Sequence, residues 1–267
     1  MAPDASRDFP YWLVALVAVM LAATLAIAAS DLYSQVLSTV ARGIWITIFV
    51  TVVAFALASA LGLGLALMAL SGSTVLRQVA RFYVEVIRGV PILVLLFWIA
   101  FAGVPAFVAA WNGAMAPLQA MGLFGEMQVR DVSLLWRAII ALMIGYSAFI
   151  AEVFRAGIQS VEPGQIEAAK ALGLSPYRRF RHVVFPQAIR TILPPLGNDF
   201  VAMVKDSSLV SVLGVADITQ MGKVYAAGSF RFFETYSIVA YIYLLLTVSL
   251  SLALRELEKR MRRGGWR

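Results

Sequence analysis

The sequence predicts an all-α protein that is integral to a membrane and has about six transmembrane helices. Hydrophobic residues make up 61% of the 267 residues and charged residues 14%, whereas a soluble domain carries roughly 25% charged residues. The windows 43–76, 89–125 and 235–254 contain no charged residue. Because a helix needs about 20 apolar residues to cross the hydrocarbon core of a bilayer, each window can hold a spanning helix.

Six segments are apolar and long enough to be placed as helices. Their predicted ranges are 11–30, 44–70, 90–110, 134–154, 188–213 and 235–254. The fifth is the least regular, because Asp199, Lys205 and Asp206 interrupt its apolar run. The first is longer than the core of a signal peptide and has no clear cleavage site after it, so we expect it to be retained as a helix.

The distribution of basic residues predicts which ends face the cytoplasm. With six helices and a cytoplasmic N-terminus, most of the 22 lysines and arginines fall in cytoplasmic segments. A five-helix arrangement would place the C-terminal basic tail opposite the loop 155–187 and divide these residues less cleanly. The net charge of +7 then reflects loops that face anionic lipid rather than nucleic-acid binding. We therefore expect a multi-pass membrane protein with both termini cytoplasmic.

Residue types that carry catalysis or bind metals are scarce in this sequence. There is no cysteine, and His182 is the single histidine, so neither a thiolate site nor a histidine-rich metal site can form. The chain has no GxxxxGKS/T phosphate loop, nucleophile elbow or histidine-based acid–base pair. We predict no catalytic residue, no metal and no cofactor bound by this chain.

The longest polar segment between predicted helices, 155–187, has the local signals of two short helices. Pro163 stands near the start of the first, and Gly173 is placed to end it as a left-handed cap. Ser175 can cap the second, with Pro176 in its first turn. The segment therefore predicts a helix–glycine–helix elbow at the membrane surface.

The side chains of this elbow favour contact with a partner. Ala168 and Ala169 are predicted to make one face of the first helix small, which suits insertion into a tight groove. Arg178, Arg179 and Arg181 would add a positive rim. The alternative is an interfacial amphipathic segment that has no partner.

The spacing within the elbow resembles the loop of ABC importer permeases. That loop reads Glu-Ala-Ala, three residues, Gly, nine residues, and Ile-x-Leu-Pro. Here the pattern is Glu167-Ala168-Ala169, then Gly173, then VVFP at 183–186. Valine and phenylalanine replace isoleucine and leucine, and both changes stay apolar.

Flanking segments resemble the polar amino-acid permeases of binding-protein-dependent systems. These are GQIEAAKALGLS at 164–175, PQAIRTILPPLGNDF at 186–200, KDSSLVSVLGV at 205–215, RGVP at 88–91 and AEVFR at 151–155. The resemblance covers roughly 43–258. It implies a type I importer permease domain at 44–258 with coupling helices at about 163–182, an added N-terminal helix and linker at 1–43, and a basic cytoplasmic tail at 259–267.

The resemblance also implies partners. A separate ABC ATPase subunit, which holds ATP and Mg, would dock on the elbow through Glu167, Ala168, Ala169, Gly173 and Arg178. Further implied partners are a second permease subunit, identical or homologous, an extracytoplasmic amino-acid-binding protein and membrane lipid. A stand-alone secondary transporter or channel is the alternative. It predicts inverted repeats, and none is visible in the sequence.

Ionisable residues within apolar segments are candidates for the substrate path, because they are costly in a membrane. The candidates are Glu152, Asn198, Asp199, Lys205 and Asp206. Two simpler roles remain open: Glu152 could pair with Arg155, and Lys205 with Asp206. Pro194-Pro195 is expected to kink or unwind the start of the fifth helix.

Three positions depart from the family pattern. Val90, Leu95 and Phe149 stand where the family often has threonine, glutamine and tyrosine. Either the substrate contacts differ, or a non-identical permease supplies the missing polar groups.

Small residues recur at every fourth position on two helices. They are Ala18, Ala22 and Ala26 on the first, and Ala54, Ala58, Gly62 and Ala66 on the second. Such stripes allow close helix packing, either within the chain or against a second permease.

Overall fold

The computed structural model describes residues 11–263. Residues 1–10 and 264–267, which include the end of the predicted basic tail, lie outside the described residues. Within the described range the chain forms the α-helices α1 (Tyr11–Ala28), α2 (Asp31–Val40), α3 (Ile44–Ala69), α4 (Thr74–Gly89), α5 (Ile92–Trp98), α6 (Val104–Ala120), α7 (Leu134–Gln159), α8 (Pro163–Ala171), α9 (Pro176–Arg179), α10 (Phe185–Asp206), α11 (Ile218–Ser229) and α12 (Phe232–Arg263).

Five helical stretches among residues 11–263 are long and apolar enough to cross a membrane. They are Tyr11–Ala28, Asp31–Ala69, Ile92–Ala120, Leu134–Gln159 and Phe232–Arg260. They correspond to the first four predicted helices and the sixth. The fifth predicted helix is present as α10 and the 3-10 helix Ser207–Leu213, but its charged residues keep it below the apolarity of a span.

Several boundaries differ from the prediction. The segment 31–43, predicted as a linker, is helical, and the third predicted helix reaches Ala120 rather than residue 110. A kink or an unwinding was predicted at Pro194-Pro195, and the unwinding is wrong, because α10 continues as a helix through both prolines. Helical backbone also begins well before residue 188, since α9 leads through the π-helical turn Phe180–Val184 into α10.

Helix α4 was not predicted from apolar length, because it carries four charged residues. They are Arg77, Arg81, Glu85 and Arg88, and their spacing places them along one face. Val90 has an extended backbone ahead of Pro91, so the helical conformation is interrupted between α4 and α5.

The core of the molecule is the lengthwise contact of α3 with α7. The small-residue stripe of α3 lies in this contact, and Ala54 and Ala58 are fully buried. A Cβ atom added to Gly62 would lie 3.0 Å from the carbonyl oxygen of Ser147 on α7. The α3 stripe therefore serves packing within the chain.

Helix α1 uses its small residues differently. Ala18, Ala22 and Ala26 are exposed, so they do not pack within the chain. The helix attaches through the buried Ile27 and through a 2.8 Å hydrogen bond between the hydroxyls of Thr24 and Tyr241.

Candidate functional site

The elbow between α8 and α9 turns on a left-handed glycine. Gly173 has φ +72°, as its position in the sequence predicts. Its amide donates to the Lys170 carbonyl at 2.9 Å, and the Leu174 amide donates to the Ala169 carbonyl at 3.1 Å. These two bonds form a Schellman motif, which satisfies the last carbonyls of α8 and fixes the direction of the turn.

The second arm of the elbow is the beginning of a much longer helical stretch. The Ser175 hydroxyl accepts from the Arg178 amide at 3.5 Å, and Pro176 occupies the first turn, as predicted. The backbone then stays helical through Phe180–Val184 and α10 as far as Asp206. The second arm of the elbow and the part of α10 that lines the cavity described below thus belong to one helical stretch.

Contacts between the arms hold the elbow at a defined angle. The Gln187 side-chain amide donates to Gln165 Oε1 at 2.5 Å and to the Val183 carbonyl at 2.9 Å. Beneath the arms lies an apolar cluster formed by Val161, Val184, Ala188 and Ile192. The elbow is thus attached to the body of the chain rather than hanging free.

The outer surface of the elbow differs from the predicted small face. Ala168 is exposed but Ala169 is only 3% exposed, so the two alanines lie on different sides of α8. Glu167 and Arg178 are exposed. Sequence reasoning missed Leu172 and Tyr177, which are 81% and 69% exposed on either side of Gly173. The sequence could have indicated them, because both are large apolar side chains close to the capping glycine of a polar loop.

A cavity of about 520 Å³ lies where the α4–α5 break meets α7 and α10. We call it the cavity, and its main side chains are Arg88, Val90, Tyr146, Phe149, Asp199 and Asp206. The Tyr146 hydroxyl donates to Asp206 Oδ2 at 2.7 Å. Asp199 Oδ2 is buried and has no hydrogen-bond partner among residues 11–263. A buried carboxyl oxygen without a partner is costly, which singles out Asp199 among the side chains that line the cavity.

The structure divides the predicted path residues into two groups. Asp199 and Asp206 line the cavity, whereas Asn198 and Lys205 are exposed outside it. Lys205 and Asp206 form no ion pair within the described range, in contrast to the simpler role considered above. Glu152 does pair with Arg155, through Nε–Oε1 at 3.1 Å and Nη2–Oε2 at 2.5 Å.

A second concave space of about 380 Å³ lies between α3, α4 and α7. We call it the vestibule, and its polar side chains are Arg81, Glu85, Arg88, Glu152, Arg155 and Gln159. Gln159 is the last residue of α7, shortly before the chain enters α8. The vestibule therefore lies on the elbow side of the molecule.

The departures from the family pattern fall in two environments. Val90 and Phe149 line the cavity, where they replace hydroxyl-bearing residues with apolar surface. Leu95 is buried in the hydrophobic core and does not line the cavity. Two of the three departures thus lie on the cavity wall.

Comparison with known proteins agrees with this architecture. Residues 58–263 match the family described as binding-protein-dependent transport system inner membrane component. The probable amino-acid permease protein YxeN of Bacillus subtilis is 36% identical over 84% of this chain and 91% of its own length. The glutamine transport system permease protein GlnP of Escherichia coli is 38% identical over 72% of this chain and 78% of its own.

Solved structures lead to the same family. A crystal structure of an amino acid ABC transporter with histidines is 37% identical, covers 85% of this chain and 95% of its own, and has a TM-score of 0.68. The MetNI methionine ABC transporter, at 19% identity and a TM-score of 0.62, supports the fold alone. These relatives favour an importer permease of the type I fold over a stand-alone transporter. The chain belongs to the binding-protein-dependent transport system inner membrane components, the membrane-spanning permease subunits of ABC importers.

Proposed function

We propose that this permease forms the translocation path for a polar amino acid, and that a separate ATPase drives it through the elbow. The observation that carries the proposal is the continuity of the elbow with α10. The helical stretch that starts at Pro176 also presents Asp199 and Asp206 to the cavity. One rigid element thus joins the surface where force would enter to the groups that would meet the cargo.

The chemistry of the cavity fits an amino acid. Asp199 and Asp206 supply carboxylate oxygens that suit an ammonium group, which such oxygens bind through charge-assisted hydrogen bonds. The volume of about 520 Å³ is in the range of small-molecule sites. Relatives named for amino-acid, glutamine and nopaline transport support the same class of cargo.

The assembly we propose joins this chain to three protein partners. The ATPase, with its ATP and Mg, docks on the exposed elbow residues Glu167, Ala168, Gly173 and Arg178, while Ala169 supports them from inside. A second permease, identical or homologous, completes the path. An extracytoplasmic amino-acid-binding protein delivers the cargo on the opposite side. Both termini and the elbow face the cytoplasm of the bacterial inner membrane, in contact with lipid and not with nucleic acid.

Substitution at the elbow tests this assignment. The complex is reconstituted in proteoliposomes with its ATPase and binding protein, and the cargo is chosen by screening the twenty L-amino acids on that binding protein. Gly173→Val forces a β-branched residue into a left-handed conformation, which costs about 1–2 kcal/mol and distorts the elbow. We expect uptake and cargo-stimulated ATP hydrolysis to fall together by about tenfold.

Gly164→Val is the matched control. Gly164 lies in the same helix α8, has no positive φ and has open space around its Cβ position. This variant should transport at close to the wild-type rate. Wild-type uptake and ATP hydrolysis in Gly173→Val would contradict coupling through the elbow.

A further inference from the structure

Arg88 is shared by the two concave spaces of the molecule. It lines the cavity together with Asp199 and Asp206, and it lines the vestibule together with Glu85 and Glu152. It lies in the last turn of α4, one residue before Gly89 ends that helix and the chain turns into α5. Arg88 therefore stands where a molecule would pass from the cavity to the elbow side.

The guanidinium of Arg88 contacts an aromatic ring but forms no hydrogen bond or ion pair in the described part of the chain. Its Cζ lies 5.5 Å from the centroid of the Phe149 ring, a cation–π distance. Within residues 11–263 it forms neither an ion pair nor a hydrogen bond. Its planar set of N–H donors thus has no hydrogen-bond acceptor, although Glu152 in the vestibule lies near enough to interact with its charge. That set of donors matches a carboxylate in two-point geometry.

The vestibule continues the same chemistry on the elbow side. Arg81 lies seven residues before Arg88 on α4, so the two arginines share one face about two turns apart. Glu85 lies between them on this face and has no ion pair in the described part of the chain. Arg155 is already engaged with Glu152. The free charges nearest the cavity are therefore one arginine at the junction, then a glutamate and a second arginine further out.

We propose that Arg88 is a carboxylate-selective junction between the cavity and the vestibule. The carboxylate of a cargo whose ammonium group lies at the aspartates of the cavity binds the guanidinium of Arg88 and is passed on toward Arg81. A group that carries only positive charge is repelled at the same point. That the cargo is an amino acid rests on the proposed function, but the charge selection at Arg88 does not depend on it.

The absence of cysteine from the sequence allows a test that needs neither cargo nor ATP. Ala202→Cys places a single thiol on the cavity wall, and Ala69→Cys places one on the vestibule wall. Membrane vesicles of both orientations, carrying the complete complex, are treated with anionic sulfonatoethyl methanethiosulfonate or cationic trimethylammonioethyl methanethiosulfonate. The vesicle orientation in which Ala69→Cys reacts identifies the elbow side, and all rates are measured from that side.

The measured quantity is the anionic-to-cationic ratio of labelling rates at Ala202→Cys. Adding Arg88→Ala should lower this ratio by at least about tenfold, because Arg88 and Ala202 line the same cavity and a nearby unit charge acts strongly where water is scarce. Arg88→Lys keeps the charge and should hold the ratio within about threefold of that of the parent. Arg81→Ala removes the same charge from the same helix outside the cavity and should change the ratio less than about twofold.

Three outcomes would overturn the proposal. One is an unchanged ratio in Arg88→Ala, and another is an equal fall in Arg81→Ala, which would assign the selectivity to the vestibule as a whole. The third is a lack of reaction at Ala202→Cys on the side where Ala69→Cys reacts, because the two spaces would then not communicate. A transport-dead complex that shows the expected ratios would count against the proposed function and leave the junction intact.

Discussion

The elbow and the cavity are built in opposite ways. The elbow is one continuous segment, α8 to α9, whose shape follows from Pro163, Gly173 and Ser175 acting on their nearest neighbours. The cavity is assembled from side chains far apart in the sequence, such as Arg88, Tyr146 and Asp206. Local sequence rules are thus enough to specify the shape of the elbow, whereas the cavity depends on how the helices pack.

The two regions are joined at the contact of α7 with α10. A Cβ atom on Gly157 would collide with the side chain of Ile192, so the helices approach closely just above the elbow. Both residues lie between the elbow and the cavity along their helices. Changes that act on one region alone therefore have to avoid this contact.

The largest effect is expected in the cavity. Asp199→Asn keeps the shape of the side chain but removes a carboxylate whose Oδ2 is buried without a partner. Loss of a charge-assisted bond to the cargo, worth roughly 1.5–3 kcal/mol, should lower initial uptake by about ten- to a hundredfold. The melting temperature of the complex should stay the same or rise, because burial of the unpaired charge is relieved.

The neighbouring Asn198 supplies the control for this change. Asn198 is exposed outside the cavity, so Asn198→Ala should leave uptake near the wild-type rate. Equal uptake by Asp199→Asn and the wild type would remove Asp199 from the path.

The next effect separates docking from folding within the elbow. Ala168→Leu enlarges an exposed position, so the melting temperature should stay the same while the ATPase retained on co-purification falls by about tenfold. Ala169→Leu inserts the same side chain where only 3% of the residue is exposed, and overpacking should cost about 1–3 kcal/mol of stability. If both variants lose ATPase but keep their melting temperature, the assignment of Ala169 to the interior is wrong.

The elbow depends on local sequence and the cavity on helix packing, and this difference decides how much of each could be predicted from the sequence. The left-handed Gly173 and the caps at Ser175 and Pro176 are local, and their predictions are confirmed by the structure. The burial of Ala169 could not be predicted, because it depends on how α8 lies against the turn Phe180–Val184.

The cavity and the helices around it were predicted less completely. Asp199 was selected because it is ionisable within an apolar segment, but Arg88 entered only as part of a motif. Apolar length found the spans and overlooked α4, whose charged face lines the vestibule. The prolines of α10 predicted a kink or an unwinding, yet the backbone stays helical through both of them.

A smaller effect is expected at the contact that joins the two regions. Gly157→Ala adds one methyl group against Ile192 and should destabilise the purified complex by about 1–3 kcal/mol, measured as a lower melting temperature. Gly64→Ala on α3 has open space at the Cβ position and should leave the melting temperature unchanged or slightly raised. Equal melting temperatures for the two variants would mean that α7 and α10 accommodate the added methyl group with no loss of stability.

The smallest effect concerns the orientation of Asp206. Tyr146→Phe removes the hydroxyl that donates to Asp206 Oδ2 and frees the carboxylate to adopt other rotamers, but it keeps the charge and the ring. Because this bond acts on the cargo only through Asp206, the KM for uptake should rise by about threefold, on the order of 0.7 kcal/mol, with little change in maximal rate. Tyr83→Phe removes a comparable hydroxyl, which contacts Ser147 away from the cavity, and should leave the KM unchanged. A larger loss in Tyr146→Phe than in Asp199→Asn would reverse the order of the two aspartates and make Asp206 the main contact for the cargo.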